Sequence, residues 1–166
     1  MILNNFSVRK LIKILFFFAL CNVVFFKKHI LKADVVLPQC IGNSADWTDC
    51  RGAFTKDLTS YVGEFKNGLP DGLGTFTYSD GATYHGYFKV GKEHGFGTFR
   101  CWQHGSEYVG EFKNGEKDGK GLYTYPDGVV YSGDWKLGKR HGIGTLTYLN
   151  GEVVKGNFLN DYYIEK

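Results

Sequence analysis

The sequence predicts an all-β protein, an elongated single-layer sheet of stacked β-hairpins that forms a repeat solenoid. The first observation is a phrase of the form Tyr-x-Gly-x-aromatic, whose four copies are separated by 23, 24 and 23 residues. The second is a phrase with Gly-x-Gly that follows each copy, as in Gly72-Leu73-Gly74. A fixed period of this length indicates a repeat architecture, because each unit is stable only when its neighbours cover it.

Residues 1–33 have the composition of a targeting segment. Basic residues precede an apolar run, Ile14 to Phe26, which at thirteen residues suits a signal-peptide core and is short for a membrane span. Ala33 ends a candidate cleavage site, although Lys27 and Lys28 directly after the run favour an uncleaved anchor. We therefore expect an apolar leader helix. As a signal peptide it predicts a periplasmic or secreted protein; as an anchor it predicts a protein held in the membrane at its N-terminus.

Residues 34–60 are predicted to form an N-terminal cap. Cys40 and Cys50 lie close together just after the leader. In an oxidising compartment a disulfide between them would stabilise the fold by roughly 2–3 kcal/mol, mainly by restricting the unfolded chain. The alternative is two free thiols in a reducing compartment. Gly52-Ala53-Phe54 matches the second strand of a repeat, so the chain is expected to enter on a half repeat. Cys101 stands where other repeats carry tyrosine, so we expect it to fill a packing position.

Each of the four repeats within residues 61–153 is predicted to be one β-hairpin. Alternation of period two places Tyr61, Gly63 and Phe65 on one face of the first strand and Lys66 on the other. Asn-Gly and Asp-Gly pairs mark the turns, because both tolerate positive φ. Glycine weakens a strand interior, so its regular use needs a reason. We expect the aromatic rings to lie across the glycines, where any Cβ would collide with them.

Residues 154–166 are predicted to add a C-terminal half repeat, because Val154–Phe158 matches the first strand of a hairpin. The two half repeats and the four hairpins together predict ten strands. The last strand would then have an unpaired edge, which invites pairing with another chain.

These phrases resemble the MORN repeat (membrane occupation and recognition nexus), with the pattern Tyr-x-Gly-x-aromatic, Gly-Lys-x-His-Gly-x-Gly and Asp-Gly. Lys139-Arg140-His141-Gly142-Ile143-Gly144 matches this pattern well, and the resemblance extends over residues 50–158. The leader and the early cysteines are similar to those of small exported bacterial MORN proteins. The resemblance implies a twisted, elongated sheet with roles in protein assembly and, in some members, association with phospholipid membranes. It does not imply catalysis. The sequence departs from the pattern at Asp71 and Asp118, where histidine is usual.

Charge and motifs argue against nucleic-acid binding and catalysis. Residues 1–33 carry six basic residues and no acid, whereas residues 34–166 carry 14 basic and 17 acidic residues, so attraction to nucleic-acid phosphates is not expected. Gly-x-Gly lies within a strand, whereas a dinucleotide site needs it between a strand and a helix. His94 and His141 alternate with aspartate at one turn position, which favours bonding to the nearby backbone over a metal site. We expect no enzyme, no cofactor and no bound metal.

Two rows of side chains are candidate binding surfaces. A row of tyrosines could bind peptides or stack on sugars where the rings are exposed, or serve only to pack on the glycines. A column of lysines on the other face could meet anionic lipid headgroups, although acids two positions before three of them would neutralise it. The candidates are Tyr61, Tyr84, Tyr108, Tyr131, Lys66, Lys89, Lys113 and Lys136. We expect an exported, non-catalytic scaffolding module that binds an unidentified protein partner at the cell envelope, with a phospholipid- or glycan-binding surface as the alternative.

Overall fold

The computed structural model describes residues 36–164, so the leader expected over residues 1–33 lies outside the described part of the chain. Within it the fold is all-β, as the repeats predict, and one antiparallel sheet pairs each strand with the next along the chain. The strands are β1 (Cys50–Lys56), β2 (Thr59–Lys66), β3 (Leu69–Thr77), β4 (Thr83–Lys89), β5 (Lys92–Cys101), β6 (Ser106–Lys113), β7 (Glu116–Thr124), β8 (Val130–Lys136), β9 (Lys139–Thr147), β10 (Val153–Leu159) and β11 (Tyr162–Ile164). A short 3-10 helix, Ser44–Asp46, precedes them. No helix within residues 36–164 is long and apolar enough to cross a membrane.

The connections after β2, β4, β6, β8 and β10 are two-residue turns. They all lie at the same end of the strands, and this side of the sheet is here named the tight-turn edge. Alternate connections return to the same edge because each strand runs antiparallel to the one before it. In the first of these turns, Asn67 and Gly68 both have positive φ, 49° and 72°. This is the geometry that matches the twist of the flanking strands. The Asn-Gly pairs therefore correctly predict the two tight turns that contain them, after β2 and after β6.

A continuous line of paired glycines crosses the sheet from β1 to β10. Its members are Gly52, Gly63, Gly74, Gly86, Gly97, Gly110, Gly121, Gly133, Gly144 and Gly156. A Cβ added to Gly86 would lie only 2.7 Å from the hydroxyl oxygen of Tyr84, closer than real side chains approach. The expected packing of rings across glycines is confirmed.

The core is a row of aromatic rings on one side of the sheet, here named the aromatic face. The ring of Tyr84 contacts Phe88 of its own repeat and Phe112 of the next, with centroids 5.1 and 4.8 Å apart and rings nearly perpendicular. Edge-to-face contacts of this kind add to the stabilisation from burial. Because equivalent pairs recur along the sheet, each repeat completes the core of the one before it.

A backbone hydrogen bond also joins each tight turn to the preceding repeat. The Gly91 amide donates to the carbonyl oxygen of Pro70 at 2.8 Å. Equivalent bonds run from Gly115 to Glu93, from Gly138 to Lys117 and from Asp161 to Arg140. The first turn has no repeat before it, and there the Gly68 amide donates to the carbonyl oxygen of Trp47 at 2.7 Å. The N-terminal segment thus supplies the acceptor that a preceding repeat would supply.

The N-terminal cap also covers the first glycine of the line. The disulfide predicted between Cys40 and Cys50 is present. A Cβ on Gly52 would lie 2.8 Å from the Trp47 ring and 3.0 Å from the Cys40 sulfur. The Trp47 ring meets Phe65 edge-on at 4.9 Å. Trp47 and the disulfide therefore occupy the place that a tyrosine of an earlier repeat would fill.

The C-terminal end corrects the predicted strand count. Ten strands were expected, but β11 pairs with β10 through Asn157–Leu159 and makes an eleventh among the described residues. The Tyr163 ring covers Gly156, whose added Cβ would lie 2.7 Å from it, and contacts Phe158 at 5.5 Å. The extra strand forms because it brings one more ring over the last glycine of the line.

Candidate interaction surfaces

The tyrosine row is buried, which corrects its proposed role as a binding surface. Tyr61, Tyr84, Tyr108 and Tyr131 have relative exposures of 0–1 %. The Tyr108 hydroxyl donates to the carbonyl oxygen of Glu111 at 3.0 Å, and the other three hydroxyls make equivalent bonds. Burial, assisted by the Asp134 charge, raises the pKa of Tyr131 to about 12. These rings are structural because the next repeat covers them, so neither peptide nor sugar reaches their faces.

The spaces beside the buried tyrosines are partly filled by the protein's own cations. The Lys117 ammonium lies 4.2 Å from the Tyr123 ring centre and 5.0 Å from that of Trp135. Burial lowers the pKa of Lys117. The Arg140 guanidinium lies 5.4 Å from the Phe158 ring centre in the next such space. These cation–π contacts were not predicted from the sequence. Lys117 and Arg140 both occupy the variable position x of the Gly-Lys-x-His pattern, so a basic residue at that position was the available signal.

The lysine column is exposed, as expected, and each member directly precedes a tight turn. Lys66, Lys89, Lys113 and Lys136 are all exposed. The ion pairs within residues 36–164 are Arg100–Glu107, Lys120–Asp134 and Arg140–Asp161, and none of them includes a lysine of the column. The expected neutralisation by neighbouring acids is therefore wrong.

Two of the three acids that were expected to neutralise the column bind the backbone instead, and Asp134 also pairs with Lys120. Glu111 accepts a hydrogen bond from the Lys120 amide at 3.2 Å, and Asp134 accepts one from the Ile143 amide at 2.9 Å. Each of these amides follows a glycine at positive φ, where the pairing register shifts. The carboxylates satisfy amides that the shifted ladder leaves without a strand partner, so the lysines keep an unpaired positive charge.

The side of the sheet opposite the aromatic face, here named the open face, has no second sheet layer over it within residues 36–164. Thr75 and His85 are paired across it, with Oγ1 and Nδ1 2.8 Å apart. Apolar side chains also remain exposed on it: Val62 at 52 %, Tyr87 at 45 %, Phe96 at 42 % and Ile143 at 60 %. The open face therefore offers a mixed apolar and polar surface.

One repeat position is aspartate in two repeats (Asp71 and Asp118) and histidine in the other two (His94 and His141). The two aspartates at this position bind the backbone of the tight turn in the next repeat. One Asp71 oxygen accepts a hydrogen bond from the Val90 amide at 3.0 Å, and Asp118 accepts one from the Leu137 amide at 3.4 Å. Backbone bonding was predicted here and is confirmed for the aspartates. The Nδ1 atoms of His94 and His141 are buried and lack a partner. Within residues 36–164, no group of three or more His, Cys, Asp or Glu side chains is placed to hold a metal ion.

Comparison with protein families agrees with this geometry. The family model for the MORN repeat matches residues 61–83, 84–101, 108–130 and 131–153, which together are more than half of the chain. A search among curated proteins finds none that matches. MORN repeats suggest a module for protein interaction or for membrane and lipid binding. On the sequence pattern, the stacked hairpins and these matches, the chain belongs to the MORN-repeat family.

Proposed function

We propose that this protein is an exported, non-catalytic scaffolding module that binds a protein partner at the cell envelope through its open face. The observation that carries the proposal is the exposed pair Tyr87 and Phe96 in the second repeat. Exposed apolar groups with a polar surround are typical of protein-interaction sites, and tyrosine is enriched among the residues that dominate binding energy.

The second repeat departs from the other three at Tyr87. The equivalent residues in the other repeats are the acids Glu64, Glu111 and Asp134. Two of these acids bind backbone amides, at 3.2 and 2.9 Å. At Tyr87 the chain replaces an acid with an exposed aromatic ring that provides no such acceptor. A local structural rule broken in one repeat favours a functional explanation for that repeat.

The neighbours of Tyr87 extend the apolar surface. Leu73 pairs directly with Tyr87 from β3, and Phe96 lies on β5, the next strand. Gly95 lies beside Tyr87, and an added Cβ there would make ordinary van der Waals contact with the Cβ of Tyr87 at 3.5 Å. Thr75 and His85 follow along the same face as polar neighbours. The arrangement supports a compact apolar centre with hydrogen-bonding groups beside it, as protein interfaces have.

Export is supported by two independent features. The composition of residues 1–33 favours a targeting segment. The Cys40–Cys50 disulfide is consistent with an oxidising compartment, since such bonds are rare in the cytosol. A non-catalytic role is supported by the use of the repeated acids and aromatic rings in packing and turn closure. Sequencing the N-terminus of the protein purified from cells would show whether the leader is removed.

The proposal is tested with the full-length protein and one matched pair of variants. Y87E restores the acid that the other repeats carry and should leave the fold intact. V62T changes another exposed residue of the open face, in the first repeat, and serves as the control. We expect a protein from envelope extracts to bind the wild type and V62T and to be lost with Y87E. Retention of the same protein by Y87E, with near-UV circular dichroism unchanged, would contradict the proposal.

A further inference from the structure

The two ends of the strands carry opposite charges. At the tight-turn edge, the first four turns and their flanking residues contain six lysines and one acid; they are residues 66–69, 89–92, 113–116 and 136–139. The longer connections, after β3, β5, β7 and β9, lie at the other end of the strands, here named the long-turn edge. These connections contain three acids, Asp80, Asp127 and Glu152, and no lysine or arginine. The sheet therefore has a basic edge and an acidic edge.

Neither set of charges is neutralised within one copy. The six lysines and the three acids are exposed, and none of them takes part in the ion pairs found within residues 36–164. The seven-residue strand β4, which separates Asp80 from Lys89, is roughly 24 Å long. At physiological ionic strength, exposed charges more than about 8 Å apart are largely screened from each other. Each edge therefore keeps its charge for a group outside the molecule.

The charges at the two edges have the same spacing because they belong to the same strands. Strand β4 follows the turn that contains Asp80 and ends at Lys89, and β8 follows the turn that contains Asp127 and ends at Lys136. At about 4.8 Å for each strand spacing, the two lysines and the two aspartates are both separated by four spacings. When a second copy is placed end to end with the first, both aspartates meet lysines in one register.

The outlines of the two edges also match. Turns alternate between the two ends of an antiparallel sheet, so each long turn lies in line with a gap between two tight turns. The gap between the first two tight turns is a groove of about 330 Å³, lined by Lys66, Asn67, Leu69, Asp71, Lys89 and Val90. Its one acid, Asp71, already binds the Val90 amide. The turn in line with this groove contains Asp80, so in a second copy that carboxylate would enter between two lysines.

Asp80 and Asp127 are held at the tips of their turns. One oxygen of Asp80 accepts a hydrogen bond from the Ala82 amide at 2.9 Å, and one oxygen of Asp127 accepts from the Val129 amide at 3.1 Å. An ionised carboxylate has two oxygens and can accept several hydrogen bonds. A lysine of another copy can therefore bind either aspartate without breaking the bond that positions it.

We propose that copies of this protein associate end to end along their strands, with Asp80 and Asp127 of one copy bound between the tight-turn lysines of the next. Because the contact joins two different edges, it does not close on itself and copies can add in an open chain. Contacts between turns are small, so the association should depend on protein concentration and weaken with salt.

A second copy fits the basic edge better than an unrelated acidic partner does, because its acids have the spacing of the lysines through the fold itself. The contact leaves the open face uncovered. Failure of this proposal therefore leaves the proposed function unaffected.

Sedimentation velocity of the full-length protein tests the proposal. At about 0.01 M salt, where the Debye length is about 30 Å, the sedimentation coefficient should rise with protein concentration, and the rise should be smaller at about 0.15 M. D80N/D127N keeps the oxygens that accept from the turn amides but loses the charges, and should weaken association by up to about fivefold for each ion pair. D46N/D49N removes the same charge from the N-terminal cap and should not weaken it. A wild type that stays monomeric at low salt, or equal association of D80N/D127N, would overturn the proposal.

A charge exchange separates this contact from association elsewhere and from misfolding. K66E/K89E/K113E/K136E reverses the tight-turn edge, and D80K/D127K reverses the long-turn edge. Each variant alone should be monomeric, because edges of like charge then meet. In a mixture of the two, every contact between unlike variants joins opposite charges, so association should return. Association of each variant alone as strong as that of the wild type would contradict the proposal. So would a mixture that stays monomeric although both variants have the circular dichroism of the wild type.

Discussion

Replacing Gly97 with alanine should destabilise the protein by about 3–5 kcal/mol, the cost of removing a buried aromatic ring from its packing. An added Cβ would lie 2.5 Å from Cζ of Tyr84, whereas ordinary contact requires 3.4–4 Å, so the ring must move by about 1 Å. The ring has no room to do so, because Phe88 and Phe112 pack against it at 5.1 and 4.8 Å. Its hydroxyl is also fixed by the carbonyl oxygen of Tyr87 at 2.9 Å.

The assay is urea unfolding followed by circular dichroism, with the free energy of unfolding compared among four proteins: wild type, G97A, Y84A and the double variant. The three nearest atoms to the added Cβ all belong to Tyr84. In the Y84A background the methyl group therefore enters space that the ring has left, and G97A should cost less than about 1 kcal/mol. The coupling between the two sites, the difference between these two costs, should be at least about 2–4 kcal/mol, at or above the upper end for residues in contact.

Gly81 provides the matched control, since an added Cβ there would meet nothing within 4 Å. Its φ of 82° means that G81A carries only a backbone cost of about 1 kcal/mol. The reasoning is refuted if G97A costs the same with and without the Tyr84 ring, because the glycine would then be required for the backbone and not for the ring.

Three further predictions concern the turns, the cap and the buried hydroxyls. V90N should raise the free energy of unfolding by about 1 kcal/mol and N67V should lower it by a similar amount, because both sites have φ of 49°; thermal melts of the two variants would check this. Replacing both Cys40 and Cys50 with serine should cost about 3 kcal/mol, the entropy of closing a short loop, and urea titration with and without reductant would measure it. Stability should fall as pH rises above 10.0, because the pKa of Tyr131 is raised to about 12 in the folded state and is 10.0 when unfolded. The absorbance of tyrosine phenolate should therefore rise together with unfolding. A phenolate signal that appears before the protein unfolds would contradict this prediction.

The repeat period and the placement of glycines predict most of the fold. The alternation of residues in each strand places Tyr61 and Gly74 on the same face of the sheet. A tyrosine ring packed across a glycine explains why both residue types recur on that face. The depth of burial was not predictable in the same way. Alternation shows that Tyr84 faces the core side, but Phe112, a full repeat later, is what covers it. Alternation alone therefore left both alternatives for the tyrosine row open, and burial decides for packing on the glycines.

The charged residues show a second limit of pattern reading. Glu111 and Lys113 lie two positions apart on one face, which suggests an ion pair. The register shift between Gly110 and Phe112 instead turns the Lys120 amide toward Glu111. The two-residue alternation of a strand does not reveal where a bulge occurs. The sequence therefore did not predict that these acids accept hydrogen bonds from backbone amides, or that the lysines lack ion-pair partners. The strained Val90 turn could have been noticed, because valine stands where asparagine is preferred.

The amide-to-carbonyl bond that links each tight turn to its predecessor has a direction. Its donor always follows its acceptor in the chain, beginning with Gly68 and Trp47. When the polypeptide emerges N-terminus first, from a ribosome or a membrane pore, each new tight turn thus finds its carbonyl acceptor in a segment that has already folded. After the cap closes, each new segment of about 23 residues needs only its immediate forerunner to dock. Folding in this order avoids the contacts between distant residues that slow most β-proteins. It also implies that deletion of the first repeat disrupts folding more than deletion of the last.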